Sequence, residues 1–163
     1  MSQNLHHVSN YVITNSTYCL KSHPHRGKIH TIISDKHGKV VYANRPLKLV
    51  RHTCRLHGSS YEAAKYHAAQ FYGKNKHKLP IMAAYDFGDP CILFPLYSPH
   101  SQQNIWISLH AISNIVEHEN ETIVTFLNGS VERLPVHMKT FNHQYVRAAM
   151  YYKYIISKRN SSL

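Results

Sequence analysis

Residues 51–62, RHTCRLHGSSYE, place two arginines, a cysteine and two histidines directly before a Gly-Ser-Ser-Tyr turn. Three chemistries use such residues: metal ligation, nucleophilic catalysis and phosphate binding. For a metal, Cys54-x-x-His57 and His23-x-His25 have ligand-like spacing, but neither has the second pair that closes a tetrahedral site. His118-Glu119 opens like the H-E-x-x-H helix motif, yet position 122 is Thr. For a nucleophile, Ser59 and Ser60 lack the G-x-S-x-G elbow. The glycines at 27, 38, 58, 73, 88 and 129 are too far apart for a phosphate-cradling loop. No metal, cofactor or enzymatic activity is therefore expected.

Phosphate remains. Ser59-Ser60-Tyr61-Glu62 fits the S-x-x-E capping box, with Ser59 as cap of a following helix and Glu62 reaching back to it. A helix start offers free backbone N–H groups and a positive dipole end, which attract anions. Lys48, Arg51 and Arg55 stand just before it. Glu62 competes with a phosphate for the same donors, so the arginines are the stronger candidates.

The charge pattern agrees. The 163 residues carry a net charge of +11, and the excess is not evenly spread. Residues 21–78 hold 13 Lys/Arg against Asp35 and Glu62, whereas residues 79–138 hold Arg133 against six acids. Residues 139–163 hold five Lys/Arg and no acid. A solvated surface without a partner intersperses both signs, so one almost purely basic half points to an acidic partner. Cys19, Cys54 and Cys91 are odd in number and widely spaced, which suits a reduced, intracellular protein. The N-terminus lacks the basic and apolar blocks of a signal peptide, and no stretch approaches the roughly 18 apolar residues of a membrane helix. A cytoplasmic location and no membrane partner are expected.

The elements that must position these residues are short. Residues 10–20, 28–34 and 39–43 read as strands, with His37-Gly38 turning between the last two. Pro46 then begins an extended basic segment, PLKLVRHTCR. A helix follows over 60–72, with Tyr61, Ala64, Ala68, Phe71 and Tyr72 on one face and Gly73 as its stop. Strands are predicted at 80–84, 91–96 and 105–109, then a hairpin over ETIVTFLNGSVERLPV whose Asn128-Gly129 pair suits a two-residue turn. The chain closes with a helix over 140–157, whose core stripe is Phe141, Tyr145, Ala148, Tyr152 and Ile155. A second stripe, Arg147, Tyr151, Tyr154 and Lys158, lies beside it and suits a nucleic acid or protein partner; Arg147, Tyr151 and Tyr154 are the candidate subunit contact. The fold expected is one α+β domain over 1–163, mostly antiparallel sheet with a central and a C-terminal helix.

Cys54-Arg55 followed by Gly58-Ser59-Ser60-Tyr61 resembles a signature of the competence transcription factor family, ComK. RPLKLV at 45–50, KLPIM at 78–82, ILFPLYS at 92–98 and WIS at 106–108 continue the likeness in order. TIVTFLNGSVERLP at 122–135 and the F-x-x-Q-x-x-R-A run from Phe141 to Ala148 extend it, so that it spans roughly residues 40–150. The resemblance implies an activator of DNA-uptake and transformation genes that binds paired AT-rich promoter boxes, largely through the minor groove, as an oligomer. Its implied partners are double-stranded DNA, further copies of itself and RNA polymerase. The DNA contacts expected are Arg45, Lys48, Arg51, Arg55 and Lys65, with Lys74, Lys76 and Lys78, while Ser59 and Ser60 add phosphate contacts. The N-terminal 40 residues depart from the pattern; longer members carry a C-terminal extension tied to adaptor capture, and with the sequence ending at Leu163 that route of control is not expected here. The rival readings are an RNA or single-strand binder, a paralogue that modulates a longer family member, a module docking an acidic protein, and a metal-dependent enzyme.

Overall fold

A computed structural model describes residues 4–161. It bears out the mixed α+β architecture, with ten strands and three helices. Strand β1 is His6–Val8, β2 Thr17–His25, β3 Lys28–Asp35 and β4 Gly38–Tyr42; helices α1 (Pro46–Leu56) and α2 (Tyr61–Tyr72) follow. Then come β5 (Ile81–Asp86), β6 (Asp89–Pro95), β7 (Ile105–Ser108), a short 3₁₀ turn at Leu109–Ala111, β8 (Ile112–His118), β9 (Glu121–Phe126), β10 (Val131–Leu134) and α3 (Met138–Ser161). Seven strands form one sheet in the order β1-β4-β3-β2-β7-β6-β5, and three form a second in the order β10-β9-β8. The β1–β4 pair is parallel, and the other pairings are antiparallel.

The large sheet is buried on both faces, and the period-2 alternation of its strands sorts residues between two cores. Leu20, Leu93 and Trp106 point toward α1 and the start of α2. Cys19, Phe94, Ile105 and Ile107 point the other way, toward α3 and the small sheet. Helix α2 touches both cores: Tyr61 and Ala64 belong to the first, Ala68 to the second. Trp106, fully buried with the Tyr61 ring edge-on at 6.4 Å, anchors the α1–α2 side. Truncating such a residue to Ala typically costs about 3–5 kcal/mol.

Five local readings need correction. The segment after Pro46 is helix α1, not extended chain. Pro46 sits in its first turn, where a missing N–H costs nothing. Pro46, Leu49, Val50, Thr53 and Cys54 then bury one face at i, i+3, i+4, i+7 and i+8. The first predicted strand begins only at Thr17 and runs on to His25, and β8 was not foreseen at all. The β9–β10 connection is a three-residue loop: Gly129 N–H bonds the Phe126 carbonyl at 2.9 Å, and Phe126 N–H bonds the Ser130 carbonyl at 2.8 Å. Gly129 has φ +85 and Asn128 keeps negative φ, so this is a type I turn closed by a glycine bulge. Lastly, the cap of α2 is Ser60, whose Oγ accepts from Ala63 N–H at 3.0 Å. Ser59 is displaced from that role because its N–H bonds the Cys54 carbonyl while Gly58 N–H bonds the Arg55 carbonyl. These two bonds, with Gly58 at φ +76, close α1 as a Schellman motif.

A candidate nucleic-acid interface on the α1 face

Helix formation at 46–56 changes what the basic residues can do together. Lys48, Arg51 and Arg55 fall at i, i+3 and i+7, on the side of α1 opposite its buried face. Arg45, in the residue preceding the helix, is exposed and extended at φ −63, ψ 153.

Arg45, Lys48 and Arg51 line a groove of about 880 Å³ between α1, the β2–β3 hairpin and the β6–β7 loop. The hairpin adds Pro24, Gly27, Lys28 and Ile29, the loop adds Gln102 and Gln103, and Asn44 completes the wall. Among the described residues, no carboxylate lines it. Lys28, Asn44, Gln102 and Gln103 were not predicted as site residues. The charge count contained Lys28, but only sheet topology brings the 102–103 loop beside α1.

A second groove, about 410 Å³, is lined by Lys65, Lys76 and Lys78 with Tyr61, His77, Ser98 and His100. Tyr61, in the wall of this second groove, links it to Arg51 of the first. The Arg51 guanidinium lies 4.9 Å from its ring centroid and the Lys65 ammonium 5.6 Å, so one buried ring carries a cation from each groove. Burial pushes the Tyr61 hydroxyl up to about 12, the Arg51 charge opposing, so it stays protonated at neutral pH. Arg51 also pairs with Glu62 across the α1–α2 corner. That bond, a second bond within the residue itself and the nearby charges of Arg51 and Arg55 hold the exposed Glu62 carboxyl below its ordinary range. Glu62 thus reaches back to Arg51, not to a helix cap. A phosphate at Arg51 must share or displace it.

The remaining predicted residues separate. Arg55 and Lys74 are exposed but line neither groove, and Ser59 is exposed on the corner. Ser60 is committed to capping α2. Arg147 does not project from α3 as a contact residue. Its guanidinium lies 4.8 Å from the Tyr72 ring centroid and donates to Gln144 Oε1 at 2.6 Å and to the His77 carbonyl at 3.4 Å. Gln144, 1% exposed, donates to the carbonyls of Lys78 at 2.8 Å and Pro95 at 2.7 Å. Together they pin the 73–80 loop that carries Lys74, Lys76 and Lys78. Tyr151 is 2% exposed and stacked 5.7 Å from Phe71, so the expected exposed stripe reduces to Tyr154 and Lys158.

The metal-like spacings do not converge. Cys54 is buried, its thiol pushed up to about 11 mainly by desolvation, while His57 is exposed beyond the end of the helix. His7, His23, His25 and His30 cluster with ring centroids 5.1–6.2 Å apart. Among the described residues, no three His, Cys, Asp or Glu side chains are placed to hold a metal ion. Nor, among those residues, is any helix long and apolar enough to cross a membrane.

Fold and site define a mixed α+β domain with a basic groove on one helical face, one of whose arginines is paired with Glu62. The chain belongs to the ComK protein family, whose model matches residues 8–161. It is 33% identical over 144 residues to the competence transcription factor of Bacillus subtilis (strain 168), covering 87% of this chain and 73% of that relative. No solved structure matches it.

Proposed function

We propose that the chain is a competence transcription factor: a DNA-binding activator of DNA-uptake genes that docks on paired AT-rich promoter boxes, chiefly through the minor groove, as an oligomer in the cytoplasm. The observation carrying this reading is the groove formed by Arg45, Lys48, Arg51, Lys28 and the amides of Asn44, Gln102 and Gln103. A narrow A-tract minor groove concentrates negative potential, which attracts inserted Arg and Lys. The floor of that groove offers acceptors on adenine and thymine, which Asn and Gln side chains satisfy as donors. Lys65, Lys76 and Lys78 in the second groove extend the cationic track toward a neighbouring stretch of backbone. Arg55 and Lys74 flank it, within reach of phosphates rather than bases. RNA polymerase is the partner such an activator requires.

Fluorescence anisotropy on a duplex with two AT-rich boxes tests the reading, against a base-shuffled GC-rich duplex and a single-stranded competitor at two salt concentrations. Preference for the AT duplex that persists at the higher salt supports it. Equal binding to all three, collapsing with salt, replaces it with non-specific attraction to phosphate.

A further inference from the structure

The two basic grooves differ in what their charge depends on. Arginine and lysine stay charged across the physiological range, and among the described residues no histidine lines the α1 groove. The second groove mixes Lys65, Lys76 and Lys78 with His77 and His100. The 73–80 loop also borders a third concavity, about 410 Å³, which shares Lys76, His77 and Lys78 with the second and adds Thr140, His143 and Arg147 from α3. Three histidines, His77, His100 and His143, therefore stand around this one loop, and all three are exposed.

The groups that face them come from every segment packed there. Helix α2 supplies Tyr61, Lys65 and Tyr72, and the loop supplies Lys76 and Lys78. Helix α3 supplies Arg147, whose guanidinium donates to the His77 carbonyl at 3.4 Å. Among the described residues, no carboxylate lines either concavity. Glu62, one turn before Lys65, is paired with Arg51 and held below the ordinary carboxylate range, so its charge is constant while histidines titrate. Histidines committed to the fold keep other company. The His110 ring bonds the Pro90 carbonyl at 3.1 Å, and His137 accepts from Lys139 N–H at 3.1 Å and lies 3.5 Å from the Glu117 carboxylate.

A histidine changes charge between about pH 5 and 8, and an anion beside it favours the charged form. The walls around His77, His100 and His143 hold no such anion among the described residues, whereas a DNA phosphate supplies one. A metal is the other ligand that clustered histidines take. Among the described residues, however, no three His, Cys, Asp or Glu side chains are placed to hold one.

We propose that His77, His100 and His143 contact the DNA backbone as imidazolium, so that duplex binding takes up protons and tightens as pH falls. This rests on the DNA reading above and deepens it. The α1 groove meets the duplex with a charge that pH does not alter, and the 73–80 loop grips backbone with a charge that pH sets.

The test repeats the anisotropy titrations at pH 7.5 and 5.5, each over a series of salt concentrations. Affinity for the AT duplex should rise roughly tenfold at the lower pH, and the salt dependence should steepen by about 0.9 for each phosphate newly neutralised. Because the added grip falls on backbone, the ratio of AT to GC affinity should stay constant. Replacing all three residues together, His77→Gln, His100→Gln and His143→Gln, should abolish the gain and keep the affinity at pH 7.5, where an ordinary histidine is largely neutral. His77→Arg, with its charge fixed, should bring part of the gain to pH 7.5. His25→Gln is the control and should retain the gain. Strand alternation sets His23, His25 and His30 on the face of the β2–β3 hairpin opposite Pro24 and Ile29, which line the α1 groove. A gain that survives the triple replacement or disappears with His25→Gln overturns the proposal, as does an AT duplex bound equally at both pH values. In each case the DNA reading stands. A chain that binds no duplex at either pH removes the DNA reading, and this proposal with it.

Discussion

The two ends of α2 carry the same pairing with opposite consequences. At its N-terminus Arg51 lies over Tyr61 at 4.9 Å, and at its C-terminus Arg147 lies over Tyr72 at 4.8 Å. Arg51 faces a groove, its other partner an exposed carboxylate that an incoming anion can replace. Arg147, which also borders a groove, donates instead to the buried Gln144 and to the His77 carbonyl, and desolvation lowers its pKa from the ordinary arginine value. Residue type and aromatic neighbour are the same. What the remaining donors meet, solvent or backbone carbonyls, decides whether an arginine is available for binding or spent on structure.

The comparison is broken most sharply by salt. If the Arg51 end is the DNA-facing one, raising monovalent salt from about 50 to 200 mM weakens duplex binding by roughly a thousandfold or more for six or more phosphate contacts. The same change should leave the melting temperature nearly constant, because the partners of Arg147 are a ring face, an amide and a carbonyl, none of them charged. A melting temperature that falls in parallel with affinity would merge the two ends into one electrostatic network.

Gln144→Ala comes next. It strips the carbonyls of Lys78 and Pro95 of a donor inside the core, at a cost of about 2–3 kcal/mol in urea denaturation. Arg51→Ala should instead cost about 1–2 kcal/mol of duplex affinity, roughly tenfold, with little change in denaturation midpoint. Arg55→Ala should likewise weaken promoter binding without unfolding the domain, by less because it stands outside the groove. If Arg51→Ala unfolds the protein and Gln144→Ala only weakens binding, the assignment is reversed. Glu62→Gln sharpens the contrast further: with its competitor neutralised, Arg51 should bind duplex severalfold more tightly.

The smallest effect concerns pH. Lost water contact, then Arg26 and the neighbouring His30, His23 and His7, hold the His25 imidazole below its ordinary value. The unfolded chain therefore takes up a proton more readily than the folded one, and stability falls as pH drops through the ordinary histidine range near 6.5. Melting temperature should decrease slightly from pH 7.5 to 5.5, and His25→Gln should flatten that slope. An unchanged slope would remove the histidine cluster from the stability argument.

Much of this was legible before folding. The apolar spacing of Tyr61, Ala64 and Ala68 marked α2, and the run of positive charge over 21–78 contained the groove cations. Helix α1 was equally written in the spacing of Pro46, Leu49, Val50, Thr53 and Cys54. It was misread because a proline looks like an interruption unless it stands in the first turn. The shift of the cap from Ser59 to Ser60 depends on which N–H the Schellman turn takes, a choice two adjacent serines do not reveal. Tyr151 lies at the margin of the α3 stripe, and its burial follows from where Phe71 of α2 lands against it. Gln102 and Gln103 belong to the groove only through the β6–β7 crossing beside β2, a long-range contact no local pattern encodes.

The Gln144–Arg147 clamp has a consequence in the order of synthesis. The loop it fixes lies at 73–80, but the clamp belongs to α3, the last described element to leave the ribosome. Until residues 144 and 147 have emerged, the loop bearing Lys76 and Lys78 has neither of these donors to hold it. A chain cut short before that point would carry the same lysines on a loop that lacks both anchors.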